Sequence, residues 1–411
     1  MNQRNAAYWR TPPERPMPRP SVCQNVSELQ RTQHAANRGG TRHRGVTCTR
    51  KLHWHTTLLN RTTMPSAPAS TATVVIYRLG SLGDTLVALP CFHAIEQATP
   101  DKRRVVLTNF PVSSKAAPLQ GVVGDNGLVH EAMAYPVGTR SLKALWSLRK
   151  QLKALGSDTL YYLAAPRGLA ALRRDVLFFR LCGFKHIVGA PDTPELQTWR
   201  TLDAQGTLEP ECERLARSLS AGGQLPRLDL NDRSLWDLRL TAAEHASAQA
   251  VTQPLANTRM LAINMGGKVA PKDWGEANWA VLLTALGRAH PGMGLLVVGA
   301  QEDSDRAQRV TRGWPGPVVD ACGRLSPRES AAAMSGAALF IGHDSGPMHL
   351  AATVGVPCVG LFGGYNQPVV WHPHGKQHRV IHRMSGVQDI SVNEVLTEAE
   401  GILARTDQAA A

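Results

Sequence analysis

From Thr73 onward two hydrophobic rhythms alternate along the chain. Short apolar runs rich in β-branched residues, TVVIYRLG (73–80), RVVLTN (104–109), TLYYLA (159–164) and HIVGA (186–190), have the length and composition of buried strands. Between them, DTLVALPCFHAIEQA, SLKALWSLRKQLKALG and RGLAALRRDVLFFRLCG repeat apolar residues every three or four positions, the period of a helix with one buried face. Strand and helix in strict alternation predict a parallel sheet covered on both faces. The rhythm lapses from about Leu219 to Asn257, where one short helix, TAAEHASAQAV, lies in a polar stretch; this predicts a linker over 221–257. It then restarts. MLAINMGG, GLLVVGA, VVDACG, ALFIGHDS and CVGLFG read as strands, and EANWAVLLTALGRAH, EDSDRAQRVTRGW, PRESAAAMSGA and GPMHLAATVG as helices. The expected fold class is α/β, with two Rossmann-like, doubly wound parallel-sheet domains over 71–220 and 258–390 facing each other across a cleft. A last helix, SVNEVLTEAEGIL, opens on a Ser391/Glu394 capping box within 391–411 and is expected to pack back against the first domain.

Charge changes this picture only at one end. The net charge of +13 suggests nucleic acid until it is located: residues 1–63 hold 11 Lys/Arg and 2 Asp/Glu, and the rest of the chain is nearly balanced. That Pro- and Arg-rich arm (1–70) has no apolar period and no continuous apolar run of a secretory signal, and disorder is expected there. Met64, a few residues before the first strand, reads as the better translation start. Without the arm the body has no basic patch interleaved with aromatics, so a nucleic-acid partner is not expected. Seven scattered cysteines form no CxxC pair, which leaves neither a zinc framework nor a disulfide one and favours a reducing, cytoplasmic setting. No apolar run reaches the ~18 residues needed to span a bilayer.

Candidate chemistry sits where strands give way to helices, the edge at which open α/β sheets bind ligands. In RLGSLGD, Gly80 and Gly83 let the backbone approach a ligand, and Asp84 falls in the first turn of the following helix, where the dipole favours a carboxylate. The spacing is not GxGxxG, which argues against a dinucleotide. Asp84 reads equally as a general base beside a cleft and as a simple helix cap. In HDSGPMH, Ser345 is placed to cap the helix and Pro347 suits its first turn, so the amides around Gly346, Pro347 and Met348 are available to a phosphate. Asp344 would then accept hydrogen bonds from sugar hydroxyls or local amides. His349, inside that helix, reads as a ligand contact or as a buried histidine bonded to a carbonyl. Lys272, on a Gly-rich loop, can neutralise a diphosphate. Glu302 follows a strand where such folds place an acid on a ribose. Trp274 and Trp279 read as packing for the loop. Arg78 and Arg167, at strand ends of the first domain, are weaker candidates for meeting an anionic acceptor.

Taken together, RLGSLGDTLVALP, KDWGEANW, VVGAQED and HDSGPMHLAATVGVPCVGLFG, in this order and separation over about Thr73 to His382, resemble the ADP-heptose:lipopolysaccharide heptosyltransferases of glycosyltransferase family nine. The resemblance implies a GT-B architecture and an inverting, metal-independent transfer from a nucleotide-sugar held mainly by the C-terminal domain, with no cofactor besides that substrate. It makes Asp84 the general base, Lys272 a contact to the donor phosphates, and Glu302 the partner of the ribose. The turn of Asp344, Gly346 and His349 would close around the donor sugar and phosphates. The implied partners are ADP-heptose and a lipid-linked glycan acceptor met at the cytoplasmic face of the inner membrane. AAPRGLAALRRD, where the family often carries an Asp-Leu-Gln-Gly type segment, and the stretch from Asn109 to Gly138 depart from the pattern within the acceptor domain, so the acceptor, and with it the sugar, is left open. Two alternatives use the same residues: a sugar-nucleotide epimerase of this architecture and a non-catalytic nucleotide-sugar binding module.

Overall fold

The computed structural model describes residues 72–109, 119–124, 126–139, 141–267 and 269–410. The expected basic arm and residues 110–118 of the divergent acceptor segment lie outside them. The first sheet holds β1 (Thr73–Tyr77), β2 (Arg103–Thr108), β3 (Glu131–Ala134), β4 (Thr159–Tyr162) and β5 (His186–Val188), in the order β3-β2-β1-β4-β5 with every pairing parallel. TVVIY is buried at all five positions, as expected of a central strand covered on both faces. The intervening helices are α1 (Leu82–Val87), α2 (Leu89–Ala98), α3 (Gln120–Val123), α4 (Leu142–Ala154) and α5 (Leu169–Leu181). The sequence reads α1 and α2 as one helix. Pro90, which has no N–H to offer the preceding turn, divides them at Ala88.

Past α6 (Glu211–Ser220) and α7 (Ala242–Thr252) comes a second sheet of β6 (Met260–Asn264), β7 (Gly294–Val297), β8 (Val318–Asp320), β9 (Ala337–His343), β10 (Cys358–Gly363) and β11 (Arg379–Arg383). Its order, β11-β10-β9-β6-β7-β8, is again wholly parallel. Helices α8 (Glu276–Ala289), α9 (Ser304–Thr311), α10 (Pro327–Met334) and α11 (Gly346–Thr353) alternate with these strands, and α12 (Val392–Ala410) closes the chain. In both sheets the strand order reverses beside the first strand, at β1/β4 and at β6/β9. Open α/β sheets form their ligand crevice beyond the carboxyl ends at such points.

The two lobes are joined at several levels. One apolar cluster runs without a break from Val74, Ile76 and Phe92 of the first lobe through Leu215 and Trp236 to Ala331, Phe340 and Phe362 of the second. Helix α1 packs on α11, and α3 on α10. Arg328 of α10, 2% exposed, spends its whole guanidinium on this junction. Its Nη1 donates to the carbonyls of Val122 (3.0 Å) and Leu238 (2.8 Å), its Nη2 to the carbonyl of Arg239 (3.0 Å) and to Glu244 Oε2 (2.9 Å), and its Nε to Glu244 Oε1. The expected position of the closing helix is corrected. Helix α12 lies on α8 and the second sheet, not on the first lobe, because Val395, Ala399, Ile402 and Leu403 complete the apolar cluster over Leu261, Ile263 and Leu361. Arg259 fixes its end through the Leu403 carbonyl (2.7 Å) and Thr406 Oγ1 (2.6 Å).

Candidate functional site

The turn after β1 is held from below. Arg78 is 1% exposed, and its guanidinium donates to the carbonyls of Asp84 (Nε, 3.1 Å) and Leu163 (Nη1, 2.6 Å). It therefore anchors the turn to the end of β4, an internal position that does not suit the expected contact with an acceptor. Gly80 has φ +136°, and a Cβ there would lie 2.3 Å from that of Asp84, so only glycine lets the chain fold over the carboxylate. Its N–H donates to Asn109 Oδ1 at 2.7 Å. Asp84 Oδ2 accepts from Ser81 N–H (2.7 Å) and Ser81 Oγ (3.0 Å), the reciprocal half of a capping box. The capping role is present: Oδ2 is committed to the cap, while among the described residues no hydrogen bond reaches Oδ1.

The turn after β9 faces it. Asp344 Oδ2 accepts from Lys272 Nζ (2.7 Å) and from Asn366 Nδ2 (2.6 Å), and the Lys272 ammonium also lies 4.5 Å from the centre of the Tyr365 ring. Ser345 occupies the N-cap position of α11, but its hydroxyl turns away to Asn264 Oδ1 (3.1 Å) and the His343 carbonyl (3.3 Å). The first turn of α11 therefore has no side-chain cap. Pro347 brings no N–H, and the amides of Gly346, Met348 and His349 present the positive end of the helix to the crevice. His343 beneath them is wholly buried, which pushes its pKa down to about 4. The Trp274 N–H donates to its Nε2 at 3.2 Å, leaving the ring proton on Nδ1. Trp274 and Trp279 meet edge to face at 5.4 Å and stay in the core under the loop, as the sequence suggests.

The two turns touch. A Cβ on Gly83 would come within 3.1 Å of His349 Cδ2, and one on Gly346 within 2.4 Å of Leu82 Cδ2. His349 is buried between the carboxylates of Asp344 and Asp84. Burial lowers its pKa, and both carboxylates oppose that shift. Neither reading of this residue from sequence included a ring packed against the opposite turn; among the described residues its ring makes no hydrogen bond. Lys272, Asp344, Ser345, Gly346, Pro347, Met348 and His349 are thus gathered on one side of the contact between the turns, with Gly80, Gly83 and Asp84 on the other. Glu302 stands apart, exposed in the single turn Gln301–Asp303 at the end of β7. Its neighbour Asp303 packs inward, where a Cβ on Gly266 or Gly299 would strike its carboxylate. Arg167 pairs with Asp175 near the hydroxyls of Tyr77 and Tyr162 on the rim of the first lobe.

Four contributors escape the sequence reading: Asn109, Asn264, Tyr365 and Asn366. The two asparagines that end strands carried a signal, a polar residue closing an apolar run just where a strand meets the crevice. Tyr365 and Asn366 lie in an irregular loop after β10, where nothing local marks them.

Residues 196–394, a little under half of the chain, match the model of glycosyltransferase family 9 (heptosyltransferase). Over 93 residues it is 34% identical to lipopolysaccharide heptosyltransferase 1 of Salmonella typhimurium, and over 105 residues 31% identical to lipopolysaccharide heptosyltransferase 3 of Escherichia coli. These stretches cover 22% and 25% of this chain and only 28% and 30% of those relatives. Among solved structures, the family 9 glycosyl transferase of Veillonella parvula superposes with a TM-score of 0.63 at 21% identity, over 83% of this chain and 99% of its own. The E. coli ADP-heptose lipopolysaccharide heptosyltransferase II superposes with a TM-score of 0.58 at 18% identity, over 82% and 99%. The architecture is GT-B.

Proposed function

We propose that the chain transfers a sugar from a nucleotide-diphosphate donor, ADP-heptose being the favoured one, to a hydroxyl of lipopolysaccharide or a related cell-envelope glycan. The observation that carries this reading is the meeting of the two turns, Gly83 against His349 and Gly346 against Leu82. It sets one lobe's carboxylate opposite the other lobe's lysine and open helix end. Asp84 Oδ1 accepts the proton of the acceptor hydroxyl as its oxygen attacks the anomeric carbon. The bond from that carbon to the diphosphate breaks on the far side, and the leaving group departs with the electron pair, inverting the centre. Lys272 and the first amides of α11 take up the negative charge that develops, without a metal ion. Lys272 then exchanges Asp344 for phosphate, and Asp344 with Asn366 is left to the sugar hydroxyls. Glu302, in the turn after β7, is assigned to the donor ribose because folds of this order often place an acid after a strand for that contact. The donor and a lipid-linked acceptor set the reaction at the cytoplasmic face of the inner membrane.

Purified protein supplied with ADP-heptose and lipopolysaccharide fractions tests the reading. Asp84→Asn should lower turnover by about 10² to 10⁴ while ADP still binds. Near-normal turnover by Asp84→Asn would remove the base assignment. Conversion of the donor in the absence of any acceptor would favour an epimerase.

A further inference from the structure

We propose that the outer face of α4 and α5 is a docking surface for an anionic lipid bilayer. The two helices cover the same face of the first sheet. Leu148 and Leu152 of α4 and Leu172 and Phe179 of α5 join one apolar cluster with Val75, Tyr77 and Val105. Arg149 ties the helices together, donating from Nε to the Leu181 carbonyl at 2.9 Å while its guanidinium lies 4.9 Å from the centre of the Trp146 ring. With those inward positions filled, the helical period turns Trp146 and Lys150 of α4 and Arg174, Leu177 and Leu181 of α5 away from the sheet.

What faces outward is unusual for a surface left to water. Leu142 is 81% exposed, Trp146 66%, Leu177 61% and Leu181 57%. These are four of the ten large apolar side chains exposed among the described residues, so the exposure is concentrated here and not scattered. Around them stand Lys143, Lys150, Lys153, Arg173, Arg174 and Arg180, all exposed. The single acid in either helix, Asp175, is buried and paired with Arg167, so the face carries no negative charge of its own. Bases interspersed with Trp and Leu match a helix lying at a headgroup boundary: the rings and leucines enter the acyl edge and the long basic side chains reach back to phosphate. A protein partner calls for an apolar centre depleted of charge, and a nucleic-acid backbone has no use for bare leucines. The surface gives the lipid-linked acceptor of the proposed reaction a direction of approach, and the choice of a bilayer rests on that reading. Binding to vesicles without donor or acceptor is measured separately from transfer, so either can fail alone.

The full chain is sedimented with vesicles of phosphatidylcholine alone and of phosphatidylcholine with phosphatidylglycerol. Because residues 1–63 are themselves basic, Lys143→Glu/Lys150→Glu/Arg174→Glu is compared with an equal charge change elsewhere, Arg288→Glu/Arg312→Glu/Arg324→Glu. Binding should require phosphatidylglycerol, fall by at least about tenfold in the α4/α5 variant and change far less in the control. Trp146→Ser/Leu177→Ser should also weaken it, and bromine-labelled acyl chains should quench a fluorescence component that Trp146→Phe lacks. The proposal is overturned if the wild type ignores anionic vesicles, if patch and control variants lose equally, or if bromolipid quenching is the same in Trp146→Phe. Tighter binding to duplex RNA at equal salt, abolished by the same variants, would overturn it in favour of nucleic acid.

Discussion

Substituting alanine at Gly346 tests the closeness of the two turns directly. The added Cβ would lie 2.4 Å from Leu82 Cδ2, 2.7 Å from its Cγ and 3.0 Å from its Cβ. Ordinary contact begins at about 3.4 Å, so the turns must separate by about 1 Å, and rotating the end of the leucine side chain cannot relieve the contact with its Cβ. Overpacking of this kind costs about 1–3 kcal/mol, a moderate fall in melting temperature. Its effect on turnover should be larger. Leu82 is two residues from Asp84, and a 1 Å misplacement of a reacting group costs about 10²-fold in rate. The assay is transfer at saturating donor for Gly346→Ala, Leu82→Ala and the double variant. Removing the leucine clears the space, so the double variant should regain most of the lost turnover. Wild-type turnover in Gly346→Ala would refute the reasoning. So would a double variant as slow as the single one, since the methyl would then be acting on the donor side alone.

Lys272→Ala should weaken donor binding, read as ADP-sugar affinity by calorimetry; unchanged affinity would count against its phosphate role. Arg328→Met should destabilise the chain by about 3–5 kcal/mol in urea unfolding, because Glu244 and three carbonyls lose their donors, and adding Glu244→Gln should restore part of it. Burial holds His343 and His378 at a pKa of about 4, below the ordinary value of 6.5, so the unfolded chain binds protons that the folded chain refuses. Their contribution is complete above about pH 6.5 and is lost as pH falls toward 4. Between pH 7 and pH 5 stability should drop by roughly 1–2 kcal/mol for each, and a urea midpoint flat across that range would contradict it.

The strands that sequence revealed are those built from β-branched runs, such as TVVIY and MLAIN, buried on both faces. EAMA and RVIHR form the edge strands β3 and β11, and their lack of a continuous apolar run left them unread. The glycine turns were legible because steric demand is local: Gly80 must fold over Asp84 whatever surrounds it. Partners such as Asn366 for Asp344 or Leu82 for Gly346 are products of chain crossings over 22 and 264 residues, and no local pattern encodes them. The same holds for α12. Its apolar stripe announced a buried face, but which sheet would receive it depended on the face left open after β11.

The unbroken apolar cluster linking the lobes has a consequence for how the protein is made. A growing chain emerges N-terminus first, and Val74, Ile76 and Phe92 leave the ribosome long before Phe340 and Phe362 exist to complete their surroundings. At about 5–20 residues per second, the stretch from Met260 to Phe362 takes roughly 5–20 s to synthesise. Through that interval the nascent first lobe carries part of its interior as bare, oily surface, which marks it as a client for the factors that shield unfinished chains.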